Sequence, residues 1–442
     1  MTQRREIGPR SRDIVAQERR HIAPGLQSFA LTAGVAMARG EGCTLIDEDG
    51  NEYIDFIAGI GVGSVGHCHP HYVESLKRQL ERLTFGSFTT ETRARFLSQL
   101  ASLTPEGLTR IQLFSGGAEA VEAALRLAKA ATGKHEVLGF WGGFHGKTGG
   151  VLGLLGSDFK HHLGPFMPGR YVSPYADCYR CPLKLRFPEC GIACADFLRD
   201  VIRYQTGGEI SAIIVEPIQG TAGNVVPPSG FLRAVQAIAK EHDALFIADE
   251  MLTGFGRTGA MWGSYHDGVV PDVMTIGKGM GGGFPLSAVI STESLTNRVP
   301  WSNPSASSSS YGGNPLAAAA GLATLEILIK EDLVRNAERV GQVMLRRLEA
   351  LKEKHRCVGE VRGKGLMLGI ELVSDRQTRE PLARDVTRAL YQECLRRGLV
   401  AMTYAPSIRI NPPLVIREDT ALAGLAILDE ALEAVGRAHG LY

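Results

Sequence analysis

Three short stretches carry residue types that could do chemistry. In TIGKGMGGGFP (275–285), Lys278 sits among five glycines just after an apolar run. An amine held there is either a nucleophile toward a carbonyl carbon or a solvated loop cation. In ALFIADE (244–250), an apolar run ends on Asp249, a carboxylate able to hold a protonated nitrogen or to cap a helix. In LFSGGAEAVEAALRLAK (113–129), a strand-like start runs through Ser115, Gly116, Gly117 and Ala118 into a helical pattern with Glu119 in its first turn. Free N–H groups and the helix dipole make such a start an anion site. The bland reading is a strand, turn and helix whose glycines serve packing.

The elements around these stretches decide between the readings. Apolar, β-branched runs at 110–114, 135–140, 211–218, 244–250, 272–277 and 286–290 predict strands, and 118–131 and 230–242 predict helices between them. That alternation predicts a doubly wound, mostly parallel sheet in an α/β domain spanning about 70–320. The chain after about 314 reads as a long helix to 355, broken near 331, then VRGKGLMLGIELV and SIRINPPLVI as strands. The N-terminal 1–69 and the C-terminal 321–442 are therefore expected to form a smaller α+β domain. Asp249 and Lys278 each end an apolar strand, and ligands of open α/β sheets lie beyond the strands' carboxyl ends. An aspartate for a pyridinium nitrogen, a Schiff-base lysine and a phosphate cradle are the protein parts of a pyridoxal phosphate site. Each feature alone has a bland reading. The three at matching ends of their elements point to that cofactor, with the glycines letting backbone lie close to a planar ring.

Bulk composition narrows the function classes. With 442 residues and 44% apolar content, the chain can bury a large core in two or three domains. A formal net charge of +1 marks no nucleic-acid or acidic-membrane partner. The charged start MTQRREIGPRSRD is no secretory signal, and no run reaches the roughly 18 apolar residues of a membrane helix. Eight cysteines in a chain of this length suit a reduced, cytoplasmic protein. The 53 glycines exceed the usual share of about 7%.

Several motifs are decoys. Gly254, Gly256 and Gly259, and again Gly277, Gly279 and Gly282, match G-x-G-x-x-G. Neither set leads into a helix with an acid about 20 residues on, so the dinucleotide fingerprint fails. FHGKT (144–148) resembles a P-loop ending, but Trp141 stands where glycine is required. Cys178, Cys181, Cys190 and Cys194 have a C-x2-C-x8-C-x3-C spacing that admits a structural zinc or reduced cysteines packed in a loop. The second is the expectation, with no metal.

The chain resembles the class III aminotransferases of pyridoxal-phosphate fold type I from about residue 30 to 435. LFIADEMLTGFGRTG followed by PDVMTIGKGMGGGFPLSAV carries the resemblance, with GHCHP, EPIQG, SYGGNP and RINPPL as further landmarks. It implies a large domain around a mostly parallel seven-stranded sheet. It also implies that Lys278 bonds the cofactor aldehyde and Asp249 holds the ring nitrogen protonated. Gly116, Gly117 and Ala118 would bind phosphate through backbone N–H groups, and Phe144 would stack on the ring beside His145. Ser310 would reach the phosphate of the neighbouring subunit's cofactor, making a homodimer obligate, with a dimer of dimers left open. Arg409 would grip the substrate carboxylate and Glu216 would neutralise it when a donor lacking that carboxylate binds; Ile60 and Lys147 would line the substrate pocket.

Three positions depart from the family pattern. Leu252 replaces a frequent Gln, Lys147 replaces an Arg that reads a distal carboxylate, and Gly116 replaces a frequent Ser. The expected reaction moves an amino group from an ω-amino acid or terminal amine to a 2-oxo acid such as pyruvate or 2-oxoglutarate. Racemisation or epimerisation of amino acids, by the same lysine and aspartate, is the alternative; a non-catalytic scaffold would need one of those two residues lost.

Overall fold

A computed structural model describes residues 4–156, 158–404 and 406–441. The chain divides into two compact units, Met1–Pro70 with Arg335–Tyr442, and His71–Val334. Among the described residues no helix is long and apolar enough to cross a membrane.

The larger unit is built on a seven-stranded sheet. Its order is Arg110–Phe114, Ser287–Ser291, Val273–Ile276, Leu245–Asp249, Ile210–Val215, Glu136–Phe140 and Arg170–Ser173. The five strands from Val273–Ile276 to Arg170–Ser173 pair in parallel. Ser287–Ser291 runs antiparallel to both of its neighbours. Apolar residues on both faces explain why the central strands read as continuous hydrophobic runs. Val137, Ile214 and Ile247 pack with Val121, Ala124 and Ala128 of helix Gly117–Thr132. On the opposite face Leu138, Ile213 and Phe246 pack with Leu198 of helix Ala193–Gln205 and Val235 of helix Phe231–Glu241. Each fully buried Val, Leu, Ile or Phe side chain among them stabilises the fold by about 1.5–3 kcal/mol. The helix expected over 314–355 with a break near 331 is the pair Pro315–Lys330 and Leu333–Lys354. The break lies at Asp332, whose φ of +50° leaves the helical region.

The smaller unit joins the two ends of the chain. Leu399–Val400 pairs in parallel with Ile54 and Asp55 at the edge of an N-terminal sheet. VRGKGLMLGIELV is a hairpin rather than one strand: Val358–Lys364 turns through Gly365, φ +53°, into Met367–Asp375. SIRINPPLVI is a strand only at Ser407–Ile410, because Pro412 and Pro413 cannot donate to a ladder. Ser407–Ile410 pairs with Met367–Asp375, which sets Arg409 opposite Gly369.

Candidate active site

In the larger unit the parallel strands deliver the site residues at their carboxyl ends. Leu245–Asp249 ends on Asp249, only 2% exposed. The neighbouring strand Val273–Ile276 pairs Thr275 with Asp249 and leads through Gly277 to Lys278. Lys278 opens a single 3-10 turn, Lys278–Gly281. Its φ of +40° is left-handed, a conformation that costs a non-glycine residue about 1–3 kcal/mol and persists where surrounding structure imposes it. A Cβ on Gly277 would lie 2.7 Å from the Met251 sulfur, and one on Gly117 would lie 3.2 Å from it. Glycine at both positions lets the lysine turn and the helix start close on Met251.

Both oxygens of Asp249 are engaged. Oδ1 accepts from Thr275 Oγ1 at 3.1 Å and from the Met251 N–H at 3.2 Å. Oδ2 lies 2.6 Å from His145 Nδ1, with both side chains about 1% exposed. Burial pushes the His145 imidazole down, but the hydrogen bond and charge of Asp249 outweigh it and raise its pKa. Glu216 adds to the rise, and the Lys278 ammonium opposes it. Glu216 is buried and accepts from Phe144 N–H at 2.8 Å and Gly220 N–H at 3.0 Å. Burial raises its pKa, with the Asp249 charge in the same direction and His145 opposing.

The helix start differs in detail from the sequence expectation. Glu119 Oε2 accepts from the N–H groups of Ser115 and Gly116 and from Ser115 Oγ, at 2.8–3.1 Å. Burial raises the Glu119 pKa, yet these bonds outweigh it and hold the carboxyl below the usual range. Gly116 N–H thus points at a carboxylate of its own helix. The N–H groups of Gly117 and Ala118 lie in the helix's first turn, where no intrahelical acceptor exists.

Phe144 meets Phe159 edge to face, centroids 6.1 Å apart. Lys147 is exposed, with Nζ 4.6 Å from the Phe159 centroid and 5.9 Å from that of Phe144. Leu252 is buried, and its Cδ2 would stand 2.5 Å from a Cβ on Gly220, the residue that donates to Glu216. Ser310 is exposed, in the loop before helix Pro315–Lys330. In the smaller unit, Ile60 sits in the Ala58–Gly61 turn with φ +68°. Arg409 there is 4% exposed and its Nη2 lies 3.2 Å from the Met402 sulfur. Thr275 escaped the sequence reading. A polar residue in the otherwise apolar VMTI strand, three positions before the lysine, was the available signal.

The four-cysteine run lines one small cavity, of about 20 Å³, together with Leu185 and Phe187. Burial pushes the Cys194 thiol up to about 11, with Cys178 and Cys190 adding to it. Among the described residues no group of three or more His, Cys, Asp or Glu side chains is placed to hold a metal ion.

These residues suit pyridoxal phosphate. A buried, oriented carboxylate and a half-buried lysine end adjacent strands, and a glycine-lined helix start offers two amides. Known proteins agree. Residues 29–432 match the family described as aminotransferase class-III. A diaminobutyrate–2-oxoglutarate aminotransferase of Rhizobium meliloti is 36% identical over 95% of this chain and 92% of its own. A leucine/methionine racemase of Thermococcus litoralis is 33% identical over 91% of each. An amine transaminase from an uncultivated Pseudomonas species, solved with pyridoxal phosphate bound, superposes with a TM-score of 0.88 at 31% identity, covering 94% of this chain and 98% of that one. A match of this length makes the protein a member of the class III aminotransferases, transaminases of fold type I that use pyridoxal phosphate.

Proposed function

We propose that this aminotransferase takes the amino group of an ω-amino acid or terminal amine and gives it to a 2-oxo acid such as pyruvate or 2-oxoglutarate. The observation that carries the reading is Asp249, buried, held through both oxygens, one strand away from Lys278. When bound, pyridoxal phosphate supplies an aldehyde that links to amines and a pyridinium ring that accepts the electrons of the bond broken at the substrate carbon.

The chain's own residues do the rest. Lys278 would hold the cofactor between turnovers, and its freed amine would take the proton from the amine-bearing carbon as general base and deliver it, as acid, to the cofactor carbon that keeps the nitrogen. Asp249 would pair with the ring nitrogen, and His145, 2.6 Å from its Oδ2, would fix its orientation. Gly117 and Ala118 would donate to the phosphate, and Phe144 would lie against the ring. Arg409 takes the 2-oxo acid's carboxylate by a bidentate pair. Glu216 is kept in place by two backbone amides. Lys147 lines the donor pocket. Lysine lacks the planar guanidinium fork, so the pocket accepts a broader donor range than an arginine there would.

We further propose a homodimer in which Ser310 reaches the phosphate held by the second copy. Supporting this, Leu80, Leu83, Phe85 and Phe88 are all exposed within nine residues, Phe88 at 87%, and Tyr311 beside Ser310 is 73% exposed. Side chains of this size left in water are the mark of an interaction surface. Cysteine usage supports a reducing, cytoplasmic setting.

The likeness to a racemase supports a second reading, in which the proton returns to the opposite face of the same carbon. One experiment separates the two. The purified protein, loaded with pyridoxal phosphate, is given single amines and amino acids with and without a 2-oxo acid. A transaminase consumes about one donor per site and stops until the acceptor is added. A racemase inverts its substrate continuously with no acceptor present, and that result would replace the proposal.

A further inference from the structure

We infer that Thr275 is a positioning residue for Asp249, fixing the carboxylate in the orientation that a cofactor ring nitrogen needs. The inference rests on the pyridoxal phosphate site described above and extends it to the residue that faces Asp249 from the neighbouring strand.

Thr275 and Asp249 face one another in parallel register on adjacent strands, and both are buried, at 0% and 2% exposure. The strand carrying Thr275 is otherwise Val273, Met274 and Ile276, all fully buried. A hydroxyl in such a setting costs free energy unless it is bonded, so its presence asks for a partner. Its Oγ1 donates to Asp249 Oδ1 at 3.1 Å. The β-branched side chain has few χ1 choices, which makes it a stiff donor. The Thr275 backbone is itself held, because its carbonyl accepts from Glu250 N–H at 2.8 Å. The Met251 N–H bonds the same carboxylate oxygen from the loop side, and His145 bonds the other. With three donors in three directions the carboxylate cannot swing about its χ2. Of the three, only the threonine hydroxyl can be removed without disturbing the main chain or the imidazole.

Three forms are compared: wild type, Thr275→Val, which keeps the shape and removes the hydroxyl, and Thr275→Ser, which keeps the hydroxyl. Each is stripped of cofactor and titrated with pyridoxal 5′-phosphate, and the visible absorbance of the loaded protein is followed against pH. A hydrogen bond to a charged group predicts that Thr275→Val weakens cofactor retention about ten- to a hundredfold. It also predicts a displaced midpoint in the absorbance–pH curve and a fall in kcat larger than any rise in KM. Thr275→Ser should stay within about threefold of wild type on each readout. A packing role would shift thermal stability and leave the absorbance midpoint unmoved. If Thr275→Val matches wild type in retention and midpoint, or if Thr275→Ser is as impaired as Thr275→Val, the inference is wrong. Should Thr275→Val not fold, Thr275→Ala is read against the same two criteria. A wild type that stays colourless with pyridoxal phosphate would overturn the underlying site and this inference together. A coloured wild type with an unaffected Thr275→Val overturns the inference alone.

Discussion

Replacing Asp249 with Asn tests the charge at the centre of the site while barely altering its shape. The amide oxygen can still accept from Thr275 and the Met251 N–H, which reach Oδ1 at 3.1 and 3.2 Å. The amide nitrogen then takes the place of Oδ2 and faces His145 Nδ1, where the separation is now 2.6 Å. Two donors cannot share that distance, so His145 must present an unprotonated nitrogen to the amide. One charge-assisted bond, worth about 1.5–3 kcal/mol, is lost there. A second of similar size is lost to the ring nitrogen, which no longer meets an anion. Together these are about 3–6 kcal/mol. At 1.36 kcal/mol per factor of ten, Asp249→Asn should lower kcat/KM by about 10²- to 10⁴-fold. The assay is initial-rate transamination of the best donor at saturating pyridoxal phosphate, with circular dichroism as the check on folding. A folded Asp249→Asn protein within tenfold of wild type would refute the role assigned to this carboxylate.

Other substitutions probe neighbouring parts of the argument. Lys278→Ala should abolish steady-state transamination while leaving far-ultraviolet circular dichroism unchanged; substantial residual turnover would remove the lysine from its role. Gly312→Ala should destabilise by about 1–3 kcal/mol, at the upper end of that range. A Cβ there would stand 2.2 Å from the Leu113 carbonyl oxygen, a backbone atom with little freedom to move; a urea midpoint equal to wild type would contradict this packing. His145 has a raised folded pKa, so its contribution to stability is complete below the unfolded value near 6.5 and fades as pH climbs through the folded value. The stability advantage of wild type over His145→Gln, measured by urea unfolding, should therefore be greatest at about pH 6 and shrink toward pH 9. An advantage that grows with pH would reverse the sign of the argument.

Much of the site was legible because its chemistry is tied to strand ends. Asp249 and Lys278 each close an apolar run, and period and composition alone place both beyond the carboxyl edge of a parallel sheet. The glycine-rich approach to Lys278 has its counterpart in the Met251 sulfur, which a Cβ at Gly277 would strike. Local pattern could not assign the first-turn amides. Glu119 has a residue spacing that suits helix capping, and it takes the Gly116 N–H that a motif reading gives to phosphate. Hairpins between glycines were equally opaque: VRGKGLMLGIELV is apolar enough to read as one strand until Gly365 turns it.

The amino-acid sequence determined the alternation of strands and helices, the two buried faces of the central strands, and the residue types able to handle an amine, a ring nitrogen and a phosphate. These follow from periodicity and composition, which act over a few residues. Only the tertiary structure decided which distant groups share an atom. Thr275, Met251 and His145 converge on Asp249 from 26, 2 and 104 positions away, and Phe144 and Gly220 hold Glu216 from 72 and 4. Such pairings depend on which strand neighbours which. Strand order is set by packing the whole sheet between its helices, and no window of sequence contains it.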